Sequence, residues 1–212
     1  MFKNSVSEAL IVWAISMLLL SFSGSIEVQG YVESTIVTHL LLAAPTIGYI
    51  SLKKEVSETM LKRIRDIRLH HTLLLALAAW AIGSILTLIQ DMFYPPPAWY
   101  LEEIRQHSPS DFYELMAALL LTWFLVAPVE ELLFRWILLR PLIEVSGTMV
   151  GVIISAIIFA FSHLDPWNFI SPFSVGLAAG WLIAKSRSII SAIIVHSLHN
   201  SLSHILNMFI TI

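Results

Sequence analysis

Long apolar stretches alternate with short polar ones along the whole chain, and this pattern decides the predicted elements. Seven apolar stretches are long enough to form helices, at about 6–23, 35–52, 72–93, 112–139, 148–164, 172–184 and 189–210. A helix that crosses a bilayer needs about 20 mostly apolar residues. The fifth and sixth stretches are joined by a short loop, which leaves the count open by one. The pattern therefore predicts an all-α polytopic transmembrane bundle of about seven to eight helices.

Basic residues are concentrated between the second and third apolar stretches, and they set the predicted orientation. They are Lys53, Lys54, Lys62, Arg63, Arg65 and Arg68. Short loops rich in lysine and arginine stay on the cytoplasmic side of a membrane. Lys3, before the first stretch, agrees with that side. We therefore expect a multi-pass protein of the cell membrane with a cytoplasmic N-terminus.

Composition supports a membrane protein and excludes several other classes. Of the 212 residues 57% are hydrophobic and 13% are charged, which is about half the charged fraction of a soluble domain. The basic residues lie in one short loop without interleaved aromatic residues, so no nucleic-acid partner is expected. The chain has no cysteine, which excludes disulfides, thiolate metal sites and a cysteine nucleophile.

The fourth apolar stretch carries two adjacent carboxylates and an arginine. Glu130 and Glu131 end an apolar run, and Arg135 follows Glu131 by four residues. An ionisable side chain at membrane depth costs about 2.5–3.5 kcal/mol on the lenient insertion scale, so such residues are rare and usually functional. On a helix Glu131 and Arg135 can pair at i and i+4, whereas Glu130 is rotated by about 100° and stays free for another task. The alternative is a cytoplasmic helix end whose arginines reach the lipid headgroups.

Polar residues also interrupt the fifth and seventh stretches at helical spacing. His163 follows Phe159 by four residues, Asn200 follows His196 by four, and Ser203, His204 and Asn207 continue the second pair along one side. Facing lipid, these groups would be unsatisfied, so we expect them to face other helices or water. With about 1.5 Å of rise per residue, Glu130 and Asn200 lie roughly 15 Å from the cytoplasmic ends of their helices, and His163 roughly 22–24 Å. These depths therefore allow the three groups to share one site. The alternative is that they only form hydrogen bonds between helices, worth about 0.6 kcal/mol per pair.

A buried carboxylate, two imidazoles and an amide are the groups that a water-using peptidase needs. The carboxylate and an imidazole can activate water as a general base and return the proton to the leaving amine. An amide or a second imidazole can donate to the developing oxyanion. Zinc is the competing interpretation, because Glu130, His163 and His196 are residue types that bind it. The chain has no HExxH and these residues lie in three separate helices, so the sequence does not indicate a metal or another cofactor.

The three motifs, in this order, resemble those of the CAAX protease and bacteriocin-processing family, also called CPBP or Abi. They are EExxxR at Glu130, Glu131 and Arg135, FxxxH at Phe159 and His163, and HxxxN at His196 and Asn200. Type II CAAX prenyl endopeptidases are the eukaryotic members of this family. The resemblance covers about 121–206, and it implies a glutamate-dependent intramembrane endopeptidase with a cavity open to the cytoplasm and no obligatory metal.

The resemblance also implies roles for single residues. Carried over by position, Glu130 with His163 activates the water, and His196 with Asn200 stabilises the oxyanion. The supporting residues are Glu131, Arg135 and Phe159. The expected organisation is a single integral-membrane protease domain over 1–212, with its motif-bearing core at about 112–210.

The expected partners are membrane lipids and a peptide or lipidated-protein substrate, cleaved near its C-terminus. A prenylated CAAX protein is the best-known case in the family. Two other functions are consistent with the same residues: a non-proteolytic immunity or scaffold protein that binds a peptide in the cavity, and a transporter that uses the buried residues as a proton relay. Five further histidines receive no role, namely His39, His70, His71, His107 and His199; His39 is interpreted as an interfacial residue.

Overall fold

The computed structural model describes residues 5–23, 26, 30–53, 69–106, 108–186 and 188–210. Eight helices hold nearly all of these residues, and no strand occurs among them. They are α1 Val6–Ser23, α2 Tyr31–Leu52, α3 Leu69–Phe93, α4 Ala98–Gln106, α5 Phe112–Ser146, α6 Thr148–Phe161, α7 Ile170–Ser186 and α8 Ile189–Ile210. The all-α prediction is confirmed. Most of the basic segment that predicts the orientation, 54–68, lies outside the described residues.

The helices are those of a membrane bundle. Four of them, α2, α3, α5 and α8, are long and apolar enough to cross a bilayer. Helices α1 and α6 are apolar but shorter. The 14 residues of α6 span about 21 Å, less than the hydrocarbon core of about 30 Å. A side chain just beyond the end of α6 can therefore lie at membrane depth.

Helix α5 is longer than the sequence pattern predicts. It begins after Asp111, whose side chain accepts a hydrogen bond of 2.8 Å from the backbone N–H of Glu114. From the sequence we predict an end near residue 139, closed by a turn at Pro141 and Gly147; the end is wrong, because the helix continues through Pro141 to Ser146. Pro141 lies in this continuation, three residues after the π-helical segment ends at Leu138. The turn comes at Gly147, whose φ of 81° suits glycine.

The second half of α5 forms the centre of the bundle. Residues 133–139 are all exposed by 2% or less, on every face of the helix. A helix that is buried all round has neighbours on every side. Here the π segment Leu132–Leu138 contacts α1, α2, α6, α7 and α8. Ionisable residues on this helix are therefore enclosed by the other helices.

Helices α6 and α7 approach each other closely through small residues. A Cβ atom built on Gly176 would lie 3.2 Å from Cα of Ala156, and one on Gly180 would lie 3.1 Å from Cγ1 of Val152. Glycines four residues apart allow such close packing of membrane helices. This contact holds α6, and the residues that follow it, against the core.

The segment after α6, residues 162–167, is held by contacts near both of its ends. The indole N–H of Trp13 on α1 donates to Oγ of Ser162 over 2.9 Å. The Tyr100 hydroxyl on α4 donates to Oδ2 of Asp165 over 2.6 Å, and its ring packs on Trp167. Burial raises the pKa of the Tyr100 hydroxyl, and the bond to Asp165 raises it further, so the tyrosine stays a donor. These contacts hold the position of His163, which lies between them in sequence.

Candidate active site

The two glutamates lie between two π-helical segments of α5. These segments are Thr122–Val126 and Leu132–Leu138. Glu130 and Glu131 lie on the short α-helical part between them. π-Helical turns are rare and occur frequently at functional sites, because they change which side chains share a face of the helix. The sequence pattern does not predict them.

Glu131 and Arg135 form the ion pair predicted from their spacing. Nε of Arg135 lies 3.3 Å from Oε2 of Glu131, and both side chains are fully buried. The Arg135 guanidinium also lies over the Phe159 ring, 4.1 Å from its centroid. Stacking on an aromatic face is a favourable position for a desolvated cation. The pair is therefore packed between α5 and α6 and holds the Glu131 carboxylate in one place.

His196 of α8 connects the two glutamates. Its Nδ1 atom lies 2.8 Å from Oε1 of Glu131, and its Nε2 atom lies 3.7 Å from Oε2 of Glu130. Paired with Arg135, Glu131 is an ionised acceptor, so Nδ1 of His196 carries the hydrogen of this bond. The Nε2 atom is thereby directed at Glu130.

His39 of α2 contacts the other oxygen of Glu130, and sequence reasoning missed it. Its Nε2 atom lies 3.1 Å from Oε1 of Glu130, and its Nδ1 atom lies 2.8 Å from the carbonyl oxygen of Thr35. Both side chains are 12% exposed, so the interfacial interpretation of His39 is wrong. The available signal was an ionisable residue within an apolar stretch, which by default suggests a functional site.

Phe159 and His163 complete this side of the site. The Phe159 ring is fully buried and packs edge-on against the rings of His163 and His196, with centroid distances of 4.9 and 5.5 Å. Nδ1 of His163 lies 2.9 Å from the Phe159 carbonyl oxygen. The His163 side chain is near enough to Glu130 for their charges to interact, and it is the exposed member of the group. Leu164, with a φ of 53°, turns the chain away directly after it.

Asn200 lies one helical turn after His196 on α8 and is half-buried. The structure gives its amide no hydrogen bond to another described residue, so its position alone links it to the site. The other histidines without a predicted role lie elsewhere: His199 contacts Oγ of Ser171 at 2.9 Å, and His70 and His71 are exposed. His107 is outside the described residues.

The arrangement suits proton transfer at one carboxylate. Oε2 of Glu130 is buried and has no hydrogen-bond partner among the described residues, while imidazole nitrogens lie beside both of its oxygens. A carboxylate held in this way can take a proton from a small polar molecule and pass it on. Within the described part of the chain, no three His, Asp or Glu side chains form a group suited to hold a metal ion.

Comparison with known proteins identifies the family. One family model matches residues 112–202, and it is described as Rce1-like, type II CAAX prenyl endopeptidase. This segment runs from the start of α5 into α8 and contains all seven predicted site residues, whereas His39 precedes it. No curated protein and no solved structure matches the chain. Residues 112–202, which carry the whole predicted site, therefore belong to the Rce1-like family of type II CAAX prenyl endopeptidases.

Proposed function

We propose that the protein is a glutamate-dependent intramembrane endopeptidase whose general base is Glu130. The observation that carries the proposal is the environment of this carboxylate. It is 12% exposed and has His39 on Oε1, while its buried Oε2 faces Nε2 of His196 and has no hydrogen-bond partner in the described part of the chain. A carboxylate with one restrained and one free oxygen is suited to accept a proton from water in a fixed direction.

The proposed reaction is hydrolysis of a peptide bond. Glu130, assisted by His163, takes a proton from a water molecule as the water oxygen bonds to the carbonyl carbon of the substrate. The tetrahedral intermediate then expels the amine, which receives the proton as the C–N bond breaks. The products are a carboxylic acid and an amine, so atoms and charge balance.

His196 and Asn200 are the proposed partners of the oxyanion. His196 is held by Glu131 and lies beside Glu130, and the Asn200 amide is one turn away on the same helix. Donors that are fixed before the reaction stabilise developing charge without reorganising, which is commonly a large part of catalysis. The family resemblance supports this assignment.

The proposed substrate is a prenylated CAAX-type protein or another hydrophobic protein, cleaved near its C-terminus. The family of residues 112–202 supports the CAAX class. We further propose that the protein lies in the cell membrane with its N-terminus and the opening of its site on the cytoplasmic side. The basic segment after α2 supports this orientation.

The test is cleavage of a quenched fluorescent farnesylated CAAX peptide by the purified protein in lipid, with and without a chelator. We expect Glu130→Gln to lower kcat by about 100-fold or more, the range for loss of a general base. Its melting temperature should stay near that of the parent. The matched control is Glu102→Gln, which makes the same chemical change at an exposed glutamate of α4 and should leave cleavage unchanged.

Other outcomes point to the other functions. A Glu130→Gln variant as active as the parent would rule out Glu130 as the base. Peptide binding without cleavage, unchanged in Glu130→Gln, would favour a scaffold or immunity protein. Cleavage that stops with the chelator and returns with zinc would show a metal-dependent reaction, contrary to the proposal.

A further inference from the structure

His39 belongs to the site although it precedes the family-matched segment. It lies on α2, and its contact with Glu130 joins residues that are 91 positions apart in the chain. Helix α2 packs against the part of α5 that carries the glutamates. No motif of the sequence includes this histidine, so its role rests on the contact geometry alone.

The contacts of His39 fix where its hydrogens lie. A backbone carbonyl can only accept, so Nδ1, at 2.8 Å from the Thr35 carbonyl oxygen, carries a hydrogen. A contact of 3.1 Å between Nε2 and Oε1 of Glu130 then needs one further proton between these two atoms. Without that proton, a lone pair of the imidazole would face a lone pair of the carboxylate.

The charges around Glu130 favour placing that proton on His39. Glu130 and Glu131 are adjacent carboxylates, and the buried cation Arg135 is paired with Glu131. His196 faces Glu130 through Nε2, and His163 is within electrostatic range. A protonated His39 is the cationic partner of Glu130, as Arg135 is the cationic partner of Glu131. Two carboxylates and two cations then balance within the site.

We infer that His39 is a positioning residue for the general base, holding Oε1 of Glu130 so that Oε2 is directed at the water. The inference rests on the proposed function of Glu130. Oε2 is the oxygen that is buried without a hydrogen-bond partner among the described residues. His39 keeps its proton during the reaction, while the proton of the water moves through Oε2 to the leaving amine. The site therefore needs α2 in addition to residues 112–202.

Substitutions of His39 separate this role from simple packing. His39→Leu keeps an apolar volume but removes the hydrogen bond, and we expect kcat to fall by about 10- to 100-fold, as when an orienting partner of a functional side chain is removed. KM should stay within about twofold, because the proposed role of His39 acts through Glu130 and not through binding of the peptide. In His39→Gln the amide N–H can still donate to Oε1, and we expect it to restore most of the lost kcat.

The controls distinguish this inference from the proposed function. Thr46→Val on α2 removes a buried hydroxyl whose only hydrogen bond to a described residue is to the Leu42 carbonyl, and it should leave kcat and KM unchanged. If Glu130→Gln is inactive while His39→Leu has the kcat of the parent, the inference about His39 is wrong and the proposed function stands. If Glu130→Gln is fully active, the proposed function fails and His39 has no base to position.

A second measurement reports the protonation of His39 directly. It requires neither a substrate nor the His39→Leu variant. In ¹⁵N spectra of histidine-labelled protein, the His39 signals are those that disappear in His39→Gln. We expect both ring nitrogens of His39 to be protonated near neutral pH, and one proton to be lost in Glu130→Gln. A neutral His39 in the parent, unchanged by Glu130→Gln, would overturn the inference.

Discussion

Each of the three imidazoles around Glu130 has its Nδ1 atom fixed by an acceptor. The acceptors are the Thr35 carbonyl for His39, the Phe159 carbonyl for His163 and the Glu131 carboxylate for His196. Nδ1 of each ring is thereby fixed as the inner nitrogen, and Nε2 is the nitrogen that faces Glu130 in His39 and His196. The Glu131–Arg135 pair is the buried support behind one of these rings.

Loss of Arg135 is expected to affect stability as well as activity. Arg135→Ala leaves Glu131 buried without its cation, and breaking such a pair costs about 3–5 kcal/mol. We expect a lower melting temperature in detergent and little cleavage. Arg135→Lys keeps the charge but not the planar stacking on Phe159, so it should be intermediate.

The control is Arg105→Ala, which removes an exposed ion pair with Glu102 on α4. Exposed pairs contribute about 0–1 kcal/mol, so its melting temperature and cleavage should equal those of the parent. An Arg135→Ala protein as stable and as active as the parent would contradict the supporting role of Arg135.

At the scale of elements, α5 and α6 together set the geometry of the site. The chain turns at Gly147 and α6 runs back along α5, which places the Phe159 ring against the Arg135 guanidinium. This return is tight, because a Cβ on Gly151 would lie 2.8 Å from the backbone nitrogen of Ile143. The close contact depends on a residue without a side chain.

Gly151→Ala is therefore expected to push α6 away from α5. Overpacking of this kind typically costs about 1–3 kcal/mol, and displacement of Phe159 should lower cleavage as well. The matched control is Gly48→Ala on α2, where a Cβ meets nothing within 4 Å. That change should be neutral or stabilise by up to about 1 kcal/mol. Thermal unfolding of both variants tests this, and a Gly151→Ala protein more stable than the parent would contradict the packing argument.

At the scale of the whole molecule, the orientation in the membrane decides which compartment supplies the substrate. Helix α5 has 35 residues and spans about 52 Å, more than a bilayer with its headgroups. A helix of this length can therefore present its two ends on opposite sides of the membrane. Tyr113 near its start and Val145 near its end are both largely exposed.

Single cysteines test the proposed orientation without further engineering, because the chain contains none. Val145→Cys should react with an impermeant maleimide only after cells are broken, and Tyr113→Cys should react in intact cells. The cysteine-free parent provides the background. Labelling of Val145→Cys but not Tyr113→Cys in intact cells would place the N-terminus outside, contrary to the proposal.

The sequence by itself determined the helices and the local contacts. The lengths of the apolar stretches predicted seven helices. Spacings of four residues predicted the Glu131–Arg135 pair and the Phe159–His163 contact, because residues four apart share one face of a helix wherever that helix packs. The order of the motifs indicated the family that the match over 112–202 identifies. The end of α5 was predicted too early, because the helix continues through Pro141 beyond its second π segment.

Only the tertiary structure decided which distant side chains meet. His39 reaches Glu130, and His196 reaches Glu131, across 91 and 65 residues of chain. A membrane helix is apolar on its lipid face and on its buried face, so its sequence does not show which side turns inward. The rotation of α2 and α8 against α5 follows from packing between helices and from the π segments of α5. For this reason the sequence contained every group of the site, while the partners of Glu130 were fixed by the fold.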